Sequence, residues 1–298
     1  MELRVLRYFL AVAEARGYSA ASERLHVTQP TLSRQIADLE RELGVVLFER
    51  GKRGKRLALT EDGELLRRRA EEICLLADRT ESEFRSETDP VHGTVSVGGG
   101  ETRGMLLLAH AAADLRRDHP DVTLDVFSGN AEDVCAKLDA GLVDFGLLLG
   151  TEGPDRYERM ALPAFDTWGL LMRADDPLAD RRLVRPADVE GLPLIVSRQT
   201  SGGGMLSTWL GRDLASCNIV GTYNLLYNAS LMVEAKLGYA VCLDGIVAAD
   251  GASGFAFRPF SPTLRQNMHL VWKRGAKLSR AARAYLDAVK RMTWPDEN

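Results

Sequence analysis

Residues 27–44, VTQPTLSRQIADLERELG, leave this chain little choice but a short amphipathic helix with a polar leading turn. Thr28 is a good N-cap, because its hydroxyl accepts an amide hydrogen that has no partner within the helix. Pro30 fits the first turn, where a missing N–H costs little. Leu32, Ile36, Leu39 and Leu43 recur at spacings of four, three and four, which is one apolar face. The other face carries Gln29, Thr31, Ser33 and Arg34 at its N-terminal end. These hydrogen-bonding groups reach base edges or phosphates when a helix lies in the major groove. Gly44 closes the helix as a C-cap.

A polar first turn is common on surface helices, so its neighbours decide its meaning. Leu3, Leu6, Phe9, Leu10 and Ala13 form the apolar stripe of a preceding helix, and Ser19 is expected to cap a second helix over residues 20–25. A tight turn through His26 and Val27 joins that helix to the third, the two-helix unit of a helix-turn-helix. The following VVLFERGKRGKRLALT places two short apolar runs around a Gly-punctuated basic tip, residues 51–56. It reads as a hairpin wing whose Arg50, Arg53 and Lys55 lie along phosphates. Thr60 then caps a long helix in which Leu66, Ala70, Ile73, Ala77, Thr80 and Phe84 alternate spacings of four and three. Such a seam either packs on its own domain or pairs with the same helix of another subunit. The interdomain position and the charged face of Arg67, Arg68, Arg69, Glu71 and Glu72 favour pairing.

The formal charge of −4 looks wrong for a DNA binder, but it averages unlike parts. Residues 1–60 hold 11 Lys and Arg against 7 Asp and Glu, a net of +4, which leaves 27 against 35, or −8, for the remainder. A basic domain on an acidic body suits phosphate contact while limiting indiscriminate adhesion. The N-terminus MELRVLRYFL carries charges where a secretory signal needs an apolar run, and no stretch approaches the ~20 apolar residues of a membrane span. A cytoplasmic protein with no membrane partner is expected. Cys74, Cys135, Cys217 and Cys242 are widely separated, without CxxC or His at ligand spacing, and read as reduced thiols with no metal or cofactor role.

Residues 87–92, with Pro90, read as a linker. Beyond them strands are expected at residues 94–97, 122–127, 144–149, 168–172, 194–197, 239–243 and 268–272. Helices are expected at 105–117, 131–140 (capped by Asn130), from about 205, at 230–237, and from Ser279 to about 292. Strands alternating with helices imply right-handed crossovers and a parallel sheet.

Residues 1 to about 63 resemble the winged helix-turn-helix of LysR-type transcriptional regulators. The resemblance runs through YFLAVAE at 8–14, LHVTQP at 25–30, LSRQI at 32–36, Leu39-Glu40, Leu43-Gly44, LFER at 47–50, Leu59-Thr60 and Gly63. Gly17 and Ser22 depart from the usual Ser and Ala. The remainder resembles the family more loosely, through GTVSVG at 93–98, HPDV at 119–122, DAGLVD at 139–144, Pro177-Leu178-Ala179 and Leu237-Gly238-Tyr239. Asp176 and Asp244 stand where the family often has His and Pro. The resemblance implies an α+β multidomain chain: an α-rich winged helix-turn-helix at 1–60, a linker and dimerisation helix at 61–88, and an α/β effector domain at 92–298. That effector domain is like the type 2 periplasmic binding proteins. With crossings near Leu162 and Pro262, its subdomain I is 92–162 with 263–298, and subdomain II is 163–262. Thr28, Gln29, Pro30, Thr31, Ser33 and Arg34 are then the groove contacts. The implied partners are a double-stranded DNA operator, a small-molecule effector, a second or further copies of the chain, and RNA polymerase at promoters.

Two Gly-rich turns carry the candidate effector chemistry. GGGETRGM at 98–105 follows a strand and enters a helix, so its amides and Thr102 can hold an anion, although no GK[ST] ending makes it a P-loop. RQTSGGGM at 198–205 offers Thr200 and Ser201 in the other subdomain. Two such turns in opposite subdomains are what a cleft presents to a ligand, with two merely flexible loops as their other reading. Gly100, Glu101, Thr102, Arg103, Ser128, Thr200, Ser201 and Asn228 are the candidate residues, Ser128 by resemblance and Asn228 with helix capping as its other reading. Arg103 and Arg198, if they face inward, favour an acidic ligand. G-x-S-x-G and H-E-x-x-H are absent, and His26, His92, His110, His119 and His269 have no fixed-distance partners, so no enzyme is expected. A solute-binding protein would need a secretion signal and would not carry the first 60 residues.

Overall fold

A computed structural model describes residues 1–50, 57–83, 90–150, 155–200, 204–250 and 252–292. The chain forms two compact units, Met1–Ser86 and Glu87–Asn298.

The first unit begins with three helices: α1 (Leu3–Ala15), α2 (Tyr18–Leu25) and α3 (Gln29–Leu43). Helix α2 starts two residues before its expected position, with Gly17 at the N-cap and Ser19 inside the first turn. The α2–α3 turn closes through His26, left-handed at φ 52°, and the Val27 N–H donates to the Ser22 carbonyl at 3.1 Å. Thr28 caps α3 by accepting from the Thr31 N–H at 3.4 Å, and Gly44 ends it at φ 72°. Leu32, Ile36 and Leu39 are buried with Leu6, Phe9 and Val12 of α1, whereas Leu43 stays exposed. The wing roots β1 (Phe48–Arg50) and β2 (Leu57–Leu59) pair antiparallel, Phe48 opposite Leu59. Its expected basic tip, with Arg53 and Lys55, lies outside the described residues. Glu40 ties α3 to the wing by accepting from the Leu47 N–H at 2.7 Å.

Helix α4 (Glu61–Glu83) follows, opened by Thr60, whose hydroxyl accepts from the Gly63 N–H at 3.0 Å. Here the expected seam divides. Leu66 and Ala70, joined by Cys74, pack into the core of their own unit, where the short Ala70 and Cys74 side chains admit α1 closely. Ile73 remains exposed with Leu65, Leu75 and Leu76, and Phe84 lies outside the described residues.

The second unit holds one continuous mixed sheet in the order β4-β3-β5-β11-β6-β9-β7-β8, with β10 paired to β6. Its first elements are β3 (Gly93–Gly99), α5 (Gly104–Asp118), β4 (Val122–Ser128), α6 (Ala131–Asp139) and β5 (Phe145–Leu149). Then come β6 (Tyr157–Arg173), β7 (Leu194–Ser197), α7 (Met205–Leu210), β8 (Ile219–Tyr223), α8 (Leu226–Glu234) and β9 (Tyr239–Leu243). The last described elements are β10 (Phe255–Pro259), β11 (Arg265–Lys273) and α9 (Arg280–Lys290). Strands β4, β3 and β5 run parallel, as do β8, β7 and β9, while β6, β10 and β11 run antiparallel to their neighbours. The antiparallel strands correct the all-parallel expectation. They follow from β6, 17 residues long rather than the five expected, which joins β11 in its first half and β9 and β10 in its second.

Two apolar cores flank this strand. Leu162 and Ala164 of β6 belong to the core of α5 and α9, with Phe145, Met268 and Tyr285. Trp168, Leu170 and Met172 belong to another, with Val196, Trp209 and Phe260. Helix α8 begins at Leu226, four residues earlier than expected, so Asn228 sits within its first turn and is not its cap. Among the described residues no helix is long and apolar enough to cross a membrane.

Candidate nucleic-acid interface and ligand cleft

On α3, burial of Leu32, Ile36 and Leu39 forces the intervening positions outward. Thr28, Gln29, Pro30, Thr31, Ser33 and Arg34 are all exposed in the first two turns. Gln29 is steered from α2, its side-chain oxygen accepting from the Ser19 hydroxyl at 3.3 Å. An exposed turn of donors and acceptors on a helix anchored by three apolar residues is the shape that enters a major groove. Arg50 lies at the end of β1, which leads toward the wing tip.

In the second unit, turns from both cores meet around a cavity of about 210 Å³. Gly100 and Glu101 line it from the β3–α5 turn, and Ser197, Gln199 and Thr200 from the turn after β7. Trp168, Tyr223, Asn224 and Gln266 complete its polar and aromatic surface. Trp168 is oriented by donating its indole N–H to the Gln266 side-chain oxygen at 3.1 Å, and the Tyr223 hydroxyl donates to the Val241 carbonyl at 2.8 Å. A larger hollow of about 440 Å³ lies at the outer edge of the second core, lined by Arg173, Asp175, Asp176 and Tyr239. The smaller one is the better ligand cleft, because residues of both cores close on it.

The expected effector residues divide. Gly100, Glu101 and Thr200 line the cleft; Thr200 donates its hydroxyl to the Ser197 carbonyl at 2.9 Å. Ser128 is exposed at the end of β4, and it is the next residue, Gly129, that reaches the cleft. Asn228 is exposed on α8 and away from the lining, and Ser201 lies outside the described residues. Arg103 and Arg198 are also absent from the lining, which removes the ground for an acidic ligand. Thr102 is buried instead of facing a ligand: its hydroxyl donates to Asp166 and accepts from the Gly104 N–H at 3.0 Å. It therefore organises the turn.

Asp166 was not among the expected residues, although a carboxylate inside the apolar run LPAFDTWGLLM is a visible signal. It is fully buried on β6, opposite Gln266 in register, and its second oxygen has no hydrogen-bond partner among the described residues. Burial pushes its pKa up to about 6; the Thr102 hydroxyl opposes this and the nearby Asp244 carboxylate adds to it. Because the folded value lies above the unfolded one, this group's contribution is fully present below about pH 4 and is lost as pH rises through 6. The span of about two units corresponds to roughly 3 kcal/mol. Asp166→Asn should flatten that part of the profile. The check is the difference in unfolding stability between the two proteins from pH 4 to 7, and a constant difference would contradict the shift.

Among the described residues no group of three or more His, Cys, Asp or Glu is placed to hold a metal ion. The four cysteines are unpaired, and burial pushes the Cys242 thiol well above its ordinary value.

The family model of bacterial regulatory helix-turn-helix proteins of the lysR family matches residues 3–64, and that of the LysR substrate binding domain matches residues 88–294. The Hca operon transcriptional activator HcaR of Escherichia coli K12 is 27% identical over 295 residues, 97% of each chain. The dual regulator OxyR of the same organism is 32% identical over 201 residues, which are 66% of this chain and 63% of OxyR. Full-length CbnR, solved in complex with its target DNA, shares the fold with a TM-score of 0.68 at 23% identity, covering 98% of this chain and 99% of that one. HcaR and OxyR are transcriptional regulators and not enzymes. With a helix-turn-helix unit joined to an α/β ligand-binding unit, and both family models matched in that order, the chain belongs to the LysR family and is a LysR-type transcriptional regulator.

Proposed function

We propose that this regulator reads a pseudo-palindromic operator with the leading turn of α3, and that a small molecule in the cleft of the second unit changes how its subunits are arranged on DNA. The observation that carries the reading is the capped, exposed turn of Thr28 to Arg34 on a helix whose other face is locked in the core. Ser33 and Arg34, with Gln29, Pro30 and Thr31, contact base edges, while Arg50, Arg53 and Lys55 run along phosphates. Arg34→Ala should weaken a selected operator by about 1–3 kcal/mol and relax its sequence preference, because a bidentate side chain discriminates one base from another. Lys55→Ala should weaken all duplexes alike. Competition binding against random duplex checks this, and equal losses on operator and random DNA for Arg34→Ala would refute base readout.

In this reading residues 1–60 bind DNA, 61–88 form the dimerisation helix and 92–298 bind effector. Subdomain I is 92–162 with 263–298, and subdomain II is 163–262. The protein acts in the cytoplasm as a dimer or tetramer and meets RNA polymerase at promoters. Gly100, Glu101 and Thr200 are the effector contacts that the lining of the cleft supports.

A further inference from the structure

The charge of the cleft is set by Glu101. Among the described lining residues it is the charged one, set beside neutral Gly100, Trp168, Gln199, Asn224 and Gln266. Its carboxylate reaches from the β3–α5 turn to α8, where it accepts a hydrogen bond from the Leu226 N–H. Leu225, at the N-cap, provides no side-chain cap of its own, so Glu101 supplies one from 125 residues away. The flanks of Glu101 are held as well. Thr102 is buried against Asp166, and Arg103 lies so close to Gly245 that a Cβ there would come within 2.1 Å of its Cδ. Asp166 and Asp244 place further carboxylates near the same turn, where the Arg103 guanidinium acts on Asp166 as the opposing charge, and neither Arg103 nor these two carboxylates is part of the cleft lining.

A carboxylate fixed at the amide end of a helix, where the dipole favours negative charge, occupies that position and repels a second anion brought beside it. We infer that Glu101 determines the specificity of the cleft: it is a tethered anion standing where a ligand carboxylate would bind, so the cleft selects small uncharged or cationic polar molecules and rejects free carboxylates. This rests on the reading of the cleft as the effector site.

The test titrates the full-length protein with acetate, following the melting temperature and the emission of Trp168, taken as the difference from Trp168→Phe. Glu101→Ala vacates the amide end of α8 and should bind acetate at least tenfold more tightly than the wild type. Glu101→Gln keeps an oxygen acceptor for the Leu226 N–H without the charge and should fall between. Its gain over wild type serves as the same test if the alanine variant does not fold. Wild-type protein that binds acetate as tightly as either variant, or an alanine variant that gains no binding, overturns the inference. A carboxylate from a metabolite screen that changes Trp168 emission in the wild type overturns the charge selection but leaves the cleft as the ligand site. Acetate that stabilises Glu101→Ala without altering Trp168 emission binds elsewhere, and overturns both.

Discussion

Gly63→Ala is expected to disrupt the DNA-binding unit. A Cβ at Gly63 would lie 2.1 Å from the Leu47 carbonyl oxygen and 2.9 Å from Leu59 Cδ2. The carbonyl cannot yield, because it already accepts from the Thr60 N–H at 3.1 Å and Leu47 is fully buried. The Gly63 N–H is committed in turn to the Thr60 hydroxyl at 3.0 Å. The start of α4 and the root of the wing must therefore separate, at a cost of about 3 kcal/mol, the upper end of what overpacking exacts. Urea unfolding should show the loss, and amide exchange should confine it to residues 1–86. Operator binding should fall with it. An unchanged first transition would mean that the wing and α4 do not meet this closely in solution.

Ile73→Asp is expected to dissociate the protein without unfolding the monomer. Ile73 is 40% exposed and Leu76 46%, on a side of α4 left uncovered by Ala70 and Cys74, which face α1. A charge there is solvated in the monomer, where surface substitutions change stability by about 0.5 kcal/mol or less, but becomes buried and unpartnered in a helix pair. Each isolated DNA-binding unit covers one half-site, so losing the pair should weaken operator binding by about 10²–10⁴-fold. Sedimentation velocity with and without Leu76→Asp as a companion measures the assembly. A dimer that survives both substitutions would place the main subunit contact elsewhere.

What the sequence determined by itself is the part of this protein governed by near neighbours along the chain. Thr28 capping α3, Asn130 capping α6 and Ser279 capping α9 all lie where their local pattern put them, because a cap acts within three residues. The helix-turn-helix was legible for the same reason: its apolar spacing and turn residues are local, and its many matched positions agree with one another. Tertiary structure decided what depends on distant partners. Strand β6 extends back to Tyr157 because β11, about a hundred residues later, pairs with it, and β8 was hidden by Gly221 and its alternation over only five residues. The apolar repeat of α4 was visible in the sequence, but only the arrival of α1 turned Leu66 and Ala70 inward and left Ile73 exposed. The two Gly-rich turns were visible as turns, yet side-chain direction in a turn is set by whatever waits at its end. Thr102 went to Asp166, 64 residues on, and Glu101 to the amide of Leu226, 125 residues on. Nothing in the spacing of GGGETRGM distinguishes the residue that faces a ligand from the one that holds the loop, because that choice belongs to the groups across the cleft.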